Sequence, residues 1–367
     1  MDVLFCKDFS QFPSIRAGGT VYLVRGREDG GVGNYLATKG FNVCDTVVDG
    51  GRYDDYAGLS VRTPPDGTRL VVGVGDFAVL EAAKLIASLH DLPLWCVPLS
   101  YDGVNALADY TLWTVDRAPA FLPVSRQTVL ATEGLLVPTR DGVQQIYQHL
   151  FAYYVSLQIS VYTNRLFLRE ADNERLSPLL ATVQTALLSV GEYNPAVAPK
   201  LWSTICAVAP VCSDREIMLY AKAICVYKKS NMSYNRYIFA AAYAYLAALT
   251  ECADAPDLLL PPDRTAVAEA AKGLGWNIRP APSPDRAERR RLDWAWRDYL
   301  ADVRSSADVA RQAAKCWRRL VGSAGYGFFE DLSPSDLTYL MPVVAETSPT
   351  YTPFKHLYLR GGFDLFN

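Results

Sequence analysis

Up to about residue 138, short apolar runs alternate with apolar positions at helical spacing; beyond it, helical spacing stands almost alone. Thr20–Val24, Val43–Val48, Leu70–Val74 and Leu94–Val97 are rich in β-branched and apolar residues, the pattern of strands buried on both faces. Between the last two, Phe77, Leu80, Ala83, Lys84 and Ala87 recur at helical spacing, so Thr68–Gly103 predicts one complete βαβ unit. Tyr35–Lys39 begins another helix after the glycines Gly30, Gly31 and Gly33. Residues 1–18 show no clear period. Asp49–Gly51 and Asp66-Gly67 mark turns. Asp109–Val115 and Phe121–Val124 predict two strands around Arg117–Pro119. From Asp141 the pattern predicts helices over Val143–Val161, Leu176–Ser189, Asp214–Tyr227, Ser233–Leu249, Ala266–Lys272, Ala287–Val303 and Ala307–Val321, with Pro261–Pro262 and Pro280–Pro284 as connectors. The fold class is therefore a Rossmann-like α/β domain with a mostly parallel sheet, residues 1–138, followed by an all-helical domain, residues 139–367.

Composition narrows the class. Half of the 367 residues are hydrophobic, enough for a large core, and the net charge is −3, which gives no overall basic surface for nucleic acid. The basic run Arg286, Arg289, Arg290 and Arg291 is interleaved with acids and reads as a solvated helix face. No apolar run reaches the roughly 20 residues of a membrane span, and the N-terminus lacks a signal-peptide layout. The eight cysteines are scattered, with no C-x-x-C pair, as in reduced core cysteines of a cytoplasmic or otherwise intracellular protein.

The central βαβ unit resembles the superfamily of dehydroquinate synthase, iron-containing alcohol dehydrogenase, glycerol dehydrogenase and glycerol-1-phosphate dehydrogenase. Gly73, Val74, Gly75, Lys84, Ala87, Val97, Pro98, Asp102 and Gly103 carry the resemblance. The Asp102-Gly103 pair points to the glycerol-1-phosphate branch, and Tyr351 and Thr352 resemble its closing helix. The resemblance implies a dehydroquinate synthase-like fold and makes Thr128–Glu133 a short helix after the 109–124 hairpin. The departures are equally specific: Asp76 and Phe77 stand where the family has glycines, Glu81 replaces its Asp, and Leu99 its Thr.

The cofactor-binding candidates are Gly73, Gly75, Asp76 and Phe77. Two glycines let a backbone approach a pyrophosphate, and a structural tight turn needs them as well. Asp76 opposes phosphate, since like charges about 4 Å apart repel by ~1 kcal/mol even in bulk water; its other reading is a helix N-cap. Phe77 adds bulk where a phosphate would approach. The resemblance also implies a divalent metal held by one carboxylate and two histidines of the helical half. Asp141 matches the first position, but Asn235 or Arg236 stands where a His is expected, and no histidine lies between His149 and His356. Arg236 supplies a cation there, to hold an anion or to pair with Asp141. His90 reads as a helix-terminal residue. His149 is too far along its helix to share a metal with Asp141. Asp102 and Lys84 are the catalytic candidates: Asp102 matches a residue near the substrate in related dehydrogenases, with an ordinary Asp-Gly turn as the alternative, and Lys84 faces either the cleft or the surface.

These departures predict a metal-free, catalytically inactive, glycerol-1-phosphate dehydrogenase-like protein in a binding or assembly role, with no metal and no cofactor expected. NAD(P) is the cofactor the turn would hold if it still bound one. The alternative is an active NAD(P)-dependent polyol- or sugar-phosphate dehydrogenase with an altered cleft; the cyclase chemistry of dehydroquinate synthase needs both cofactor and metal and is the weakest reading. The helical half is expected to expose more aromatic and small-residue surface than one cleft needs, as in Ala240–Ala248, a composition that suits helix packing within the domain first and subunit contact second; a homo-oligomer or a protein partner is expected, with neither nucleic acid nor membrane as partner.

Overall fold

The computed structural model describes residues 1–14, 18–48, 56–166, 170–191, 193–230, 233–254, 264–278, 285–322, 332 and 334–348. The turn at Asp49–Gly51, the connectors at Pro261–Pro262 and Pro280–Pro284, and Tyr351, Thr352 and His356 lie outside them.

Strands β1 (Asp2–Cys6), β2 (Thr20–Arg25), β3 (Asn42–Val47), β4 (Thr68–Gly75), β5 (Leu94–Pro98) and β8 (Gln127–Thr132) form one six-stranded sheet in the order β1-β8-β5-β4-β2-β3. Every neighbouring pair is parallel. Alternation in the strands divides the core. Leu70, Val72 and Val74 join Val21, Leu23, Trp95 and Val97 on one face, against α1 (Val32–Thr38). Val71, Tyr22, Val24, Leu94 and Cys96 face the other way, toward α3 (Phe77–Leu89), and their cluster continues into the helical part. A short helix, α2 (Tyr56–Ser60), precedes β4. β6 (Tyr110–Val115) and β7 (Ala118–Pro123) make a separate antiparallel hairpin with the two-residue turn Asp116-Arg117.

The helical part runs through α4 (Arg140–Leu166), α5 (Glu170–Leu188), α6 (Ala198–Val208), α7 (Arg215–Tyr227), α8 (Ile238–Asp254), α9 (Arg264–Gly273), α10 (Arg286–Val321) and α11 (Pro334–Thr347). Its centre is aromatic. Phe239 of α8 stacks on Trp317 of α10 at 4.8 Å and on Phe151 of α4 at 4.9 Å between centroids, a geometry in which each pair adds roughly 0.5–1.5 kcal/mol to its buried area.

Several expectations need correction. Thr128–Glu133 is not a helix: Val129, Leu130 and Ala131 are buried, and β8 is an interior strand between β1 and β5. The lead segment contains the edge strand β1. The two helices drawn over Ala287–Val303 and Ala307–Val321 are one continuous helix, since nothing between them breaks it. Helices α6 and α11 were not anticipated. The Ala240–Ala248 surface is not exposed: Ala240, Ala241, Ala242, Ala244, Tyr245, Leu246 and Ala248 are all buried in the helical core. The described cysteines are free. No helix among the described residues is long and apolar enough to cross a membrane.

Candidate functional site

The strand order fixes where a ligand crevice would lie. β2 is followed by α1 and β3 on one side of it; β4, on its other side, is followed by α3 and β5. The chain thus switches direction between β2 and β4, and the loops beyond their carboxyl ends border the crevice that doubly wound sheets use for ligands.

Both helix N-termini at this crevice are occupied by the chain's own carboxylates. Asp76 caps α3, its Oδ1 accepting from the Val79 amide at 3.2 Å. Asp29 serves α1 in the same way, accepting from the amides of Gly31 at 3.0 Å and Gly33 at 2.9 Å. These are the N–H groups that would otherwise be free to meet a phosphate. The loop after β5 also folds over the crevice. The Leu99 amide donates to the Gly75 carbonyl at 3.1 Å. A methyl added at Gly30 would meet Leu135 Cδ2 at 2.9 Å and Leu99 Cδ2 at 3.2 Å, so two leucines lie against the β2–α1 loop.

The glycines of the turn answer to packing inside the chain. A methyl at Gly73 would lie 2.5 Å from Ala83 Cβ, and one at Gly75 would lie 2.8 Å from Val79 Cβ. They let α3 approach β4 closely. Phe77 corrects the expectation of bulk at the phosphate position. Its side chain is buried, edge-to-face with Tyr234 at 5.2 Å, where α3 meets the helical part.

Lys84 is corrected as well. It is fully buried and faces neither cleft nor surface. Its Nζ donates to the carbonyls of Asn105 and, at 3.0 Å, Tyr110, and lies 3.8 Å from Glu81 Oε1. Glu81 in turn accepts from Asn105 Nδ2 at 2.8 Å and from the Thr111 hydroxyl at 2.6 Å. This network ties α3 to the hairpin and continues inward. The Tyr110 hydroxyl donates to Asp214 Oδ1 at 2.5 Å. Burial pushes the Asp214 carboxyl up to about 6, against the pull of that hydrogen bond. Burial, helped by the charge of Lys84, pushes His149 down to about 3 and keeps it neutral. His90 caps the C-terminal end of α3, as its position in the sequence implied.

Asp141 and Arg236 come together at the start of the helical part. Thr139 caps α4, its hydroxyl accepting from the Gly142 amide at 3.0 Å, which sets Asp141 in the first helical turn. A short 3-10 turn, Tyr234–Tyr237, leads into α8 and delivers Arg236. The guanidinium grips the carboxylate as a fork, Nη1 to Oδ1 and Nη2 to Oδ2 at 2.7 Å. Gln145, one turn further along α4, brings its side-chain amide to 3.2 Å from Nη1. Asn235 is buried and paired with Ser233. Asp102 shares this neighbourhood. Burial pushes its carboxyl up to about 7, Asp76 and Asp141 push it the same way, and Arg236 pulls it back. Its Oδ1 accepts from the Ser100 hydroxyl. Among the described residues, no group of three His, Cys, Asp or Glu side chains is placed to hold a metal ion. Asp141, the carboxylate that the resemblance offers to a metal, is thus paired with a guanidinium of the chain itself.

Sequence reasoning missed Asp29, Gln145, Leu135 and the interior network. Asp29 carried a readable signal, an Asp just before a glycine-opened helix. The others depend on tertiary placement.

Neither a protein-family model nor a curated protein matches the chain. Solved structures do. An iron-containing alcohol dehydrogenase from Thermococcus thioreducens aligns over 95% of this chain and 92% of its own, at 8% identity and a TM-score of 0.55. An archaeal halo-thermophilic alcohol dehydrogenase from a Red Sea brine pool aligns over 100% and 97%, at 13% identity and a TM-score of 0.52. A parallel six-stranded sheet, a hairpin and a helical part in this order, matched along nearly the whole length, give this chain the fold of these two alcohol dehydrogenases.

Proposed function

We propose that this chain keeps the dehydrogenase fold without its metal chemistry, and serves as a glycerol-1-phosphate dehydrogenase-like binding or assembly protein. The observation that carries the reading is the fork between Arg236 and Asp141. A guanidinium is permanently charged and shaped to match a carboxylate. It neutralises Asp141 as a metal ion would, yet offers no open coordination position and cannot polarise a bound oxygen as a Lewis acid. The Asp caps on α1 and α3 support loss of dinucleotide binding by the same logic: the anion at each helix N-terminus is already part of the chain. The exposed Leu4 and Phe5 on the edge strand β1 support an assembly surface.

Asp102 favours the second reading, an active NAD(P)-dependent polyol- or sugar-phosphate dehydrogenase with an altered cleft. A carboxyl titrating near 7 beside the crevice is tuned for acid–base work at neutral pH. Elemental analysis of protein purified without chelator separates the two. The first reading expects no stoichiometric zinc, iron or nickel. About one metal per chain, lost in Asp141→Ala, overturns it and makes the dehydrogenase reading the better one.

A further inference from the structure

A second cavity, of about 430 Å³, lies between the tip of the β6–β7 hairpin and helices α9 and α11. None of its lining residues belongs to the crevice or to the Asp141 neighbourhood. Its volume falls within the range of small-molecule sites. Val267, Ala271 and Trp276, all buried, give it an apolar wall. Arg117 and Lys272 stand at its rim, exposed, and neither side chain has a hydrogen bond or ion pair among the described residues.

The hairpin tip is built in an unfavourable way for its second residue. Asp116 and Arg117 both adopt positive φ, 51° and 62°. Two-residue turns of this kind prefer Asn-Gly, because glycine takes the left-handed region without strain. An arginine at the second position forgoes that preference. The tip is also anchored: the Asn277 amide donates to the Arg117 carbonyl at 2.6 Å, which fixes Arg117 against the segment carrying Trp276.

We propose that this cavity binds a small organic carboxylate with a flat or branched apolar body. The body packs on Trp276, Val267 and Ala271, and the carboxylate meets the planar fork of Arg117 and the ammonium of Lys272. Glu346 also lines the cavity and is already engaged within the fold. Its charge disfavours a dianionic phosphate and so selects a singly charged head. The inference is independent of whether the crevice is active.

Benzoate, phenylacetate and 3-methylbutanoate, each against its uncharged amide, test it by calorimetry and saturation-transfer NMR on the full chain. At least one acid binds with a dissociation constant below about 10 mM, and its amide binds about tenfold more weakly. Lys272→Gln weakens the acid several-fold and leaves the melting temperature unchanged. Arg117→Gly weakens it by about tenfold while raising the melting temperature, since glycine relaxes the turn; a purely structural arginine would not move the two readouts in opposite directions. No binding by any of the three acids, equal binding of acid and amide, or unchanged affinity in both variants overturns the proposal.

Discussion

Two carboxylate–cation pairs, made of the same chemistry, sit in opposite surroundings. Glu81 and Lys84 are sealed in the interior, with side chains 3% and 0% exposed and 3.8 Å apart. Asp141 and Arg236 are 38% and 21% exposed and joined by a two-pronged grip. The first pair survives burial because backbone carbonyls, Asn105 and Thr111 satisfy what the partners leave open. The second is partly exposed, where water screens it. Burial turns an ion pair into a structural element, whereas partial exposure leaves it a small share of the stability and leaves both partners in reach of solvent.

Removing one interior partner is expected to have the largest effect. Lys84→Met leaves Glu81 charged and uncompensated, and should cost about 3–5 kcal/mol in denaturant unfolding. The double variant Glu81→Gln with Lys84→Met should recover a large part of that loss. A cost below about 1 kcal/mol for Lys84→Met would show that the interior pair is no more structural than a surface pair.

Asp214 sharpens the comparison through pH. Its folded value, raised to about 6, lies above the ordinary carboxyl value of about 3.9. A group of this sign stabilises the fold fully below the unfolded value. The contribution is lost as pH rises, because the unfolded chain ionises first, and the loss is complete above about 6. The expected amount is about 2–3 kcal/mol between pH 4 and pH 7. Asp214→Asn keeps an acceptor for Tyr110 and cannot ionise. The stability of this variant relative to the native chain should therefore rise from pH 4 to pH 7. A pH-independent difference would contradict the burial argument.

The exposed pair should matter least for stability. Arg236→Ala should change the unfolding free energy by about 0–1 kcal/mol, as for other pairs in reach of water. A loss as large as that of Lys84→Met would mean that the fork holds the two parts of the chain together.

The strands β2 to β5, the hairpin and the first long helix were legible because their apolar runs or helical spacing are unbroken. β8 was not. Gln127–Thr132 is a short apolar run, which periodicity alone does not separate from a helical turn, and only its place between β1 and β5 makes it a strand. β1 hid for the opposite reason: as an edge strand it exposes Leu4 and Phe5 together and shows no clean alternation. At the site, the missing histidines and the pairing of Arg236 with Asp141 could be read as options from residue types. Choosing between them needed the 3-10 turn that aims Arg236. Phe77 and Lys84 were misread because sequence gives a residue's place along α3 but not which neighbours close over it. The Tyr110–Asp214 bond joins residues 104 positions apart, beyond any local pattern.

The most direct test of the central claim, that the chain's own charged groups fill the ligand positions of a dehydrogenase fold, is calorimetric titration of the native protein with NADH and NADPH. Asp29 and Asp76 at the two helix N-termini, and Leu99 and Leu135 over Gly30, predict dissociation constants weaker than about 1 mM for both. Micromolar binding of either by the native chain would contradict the account.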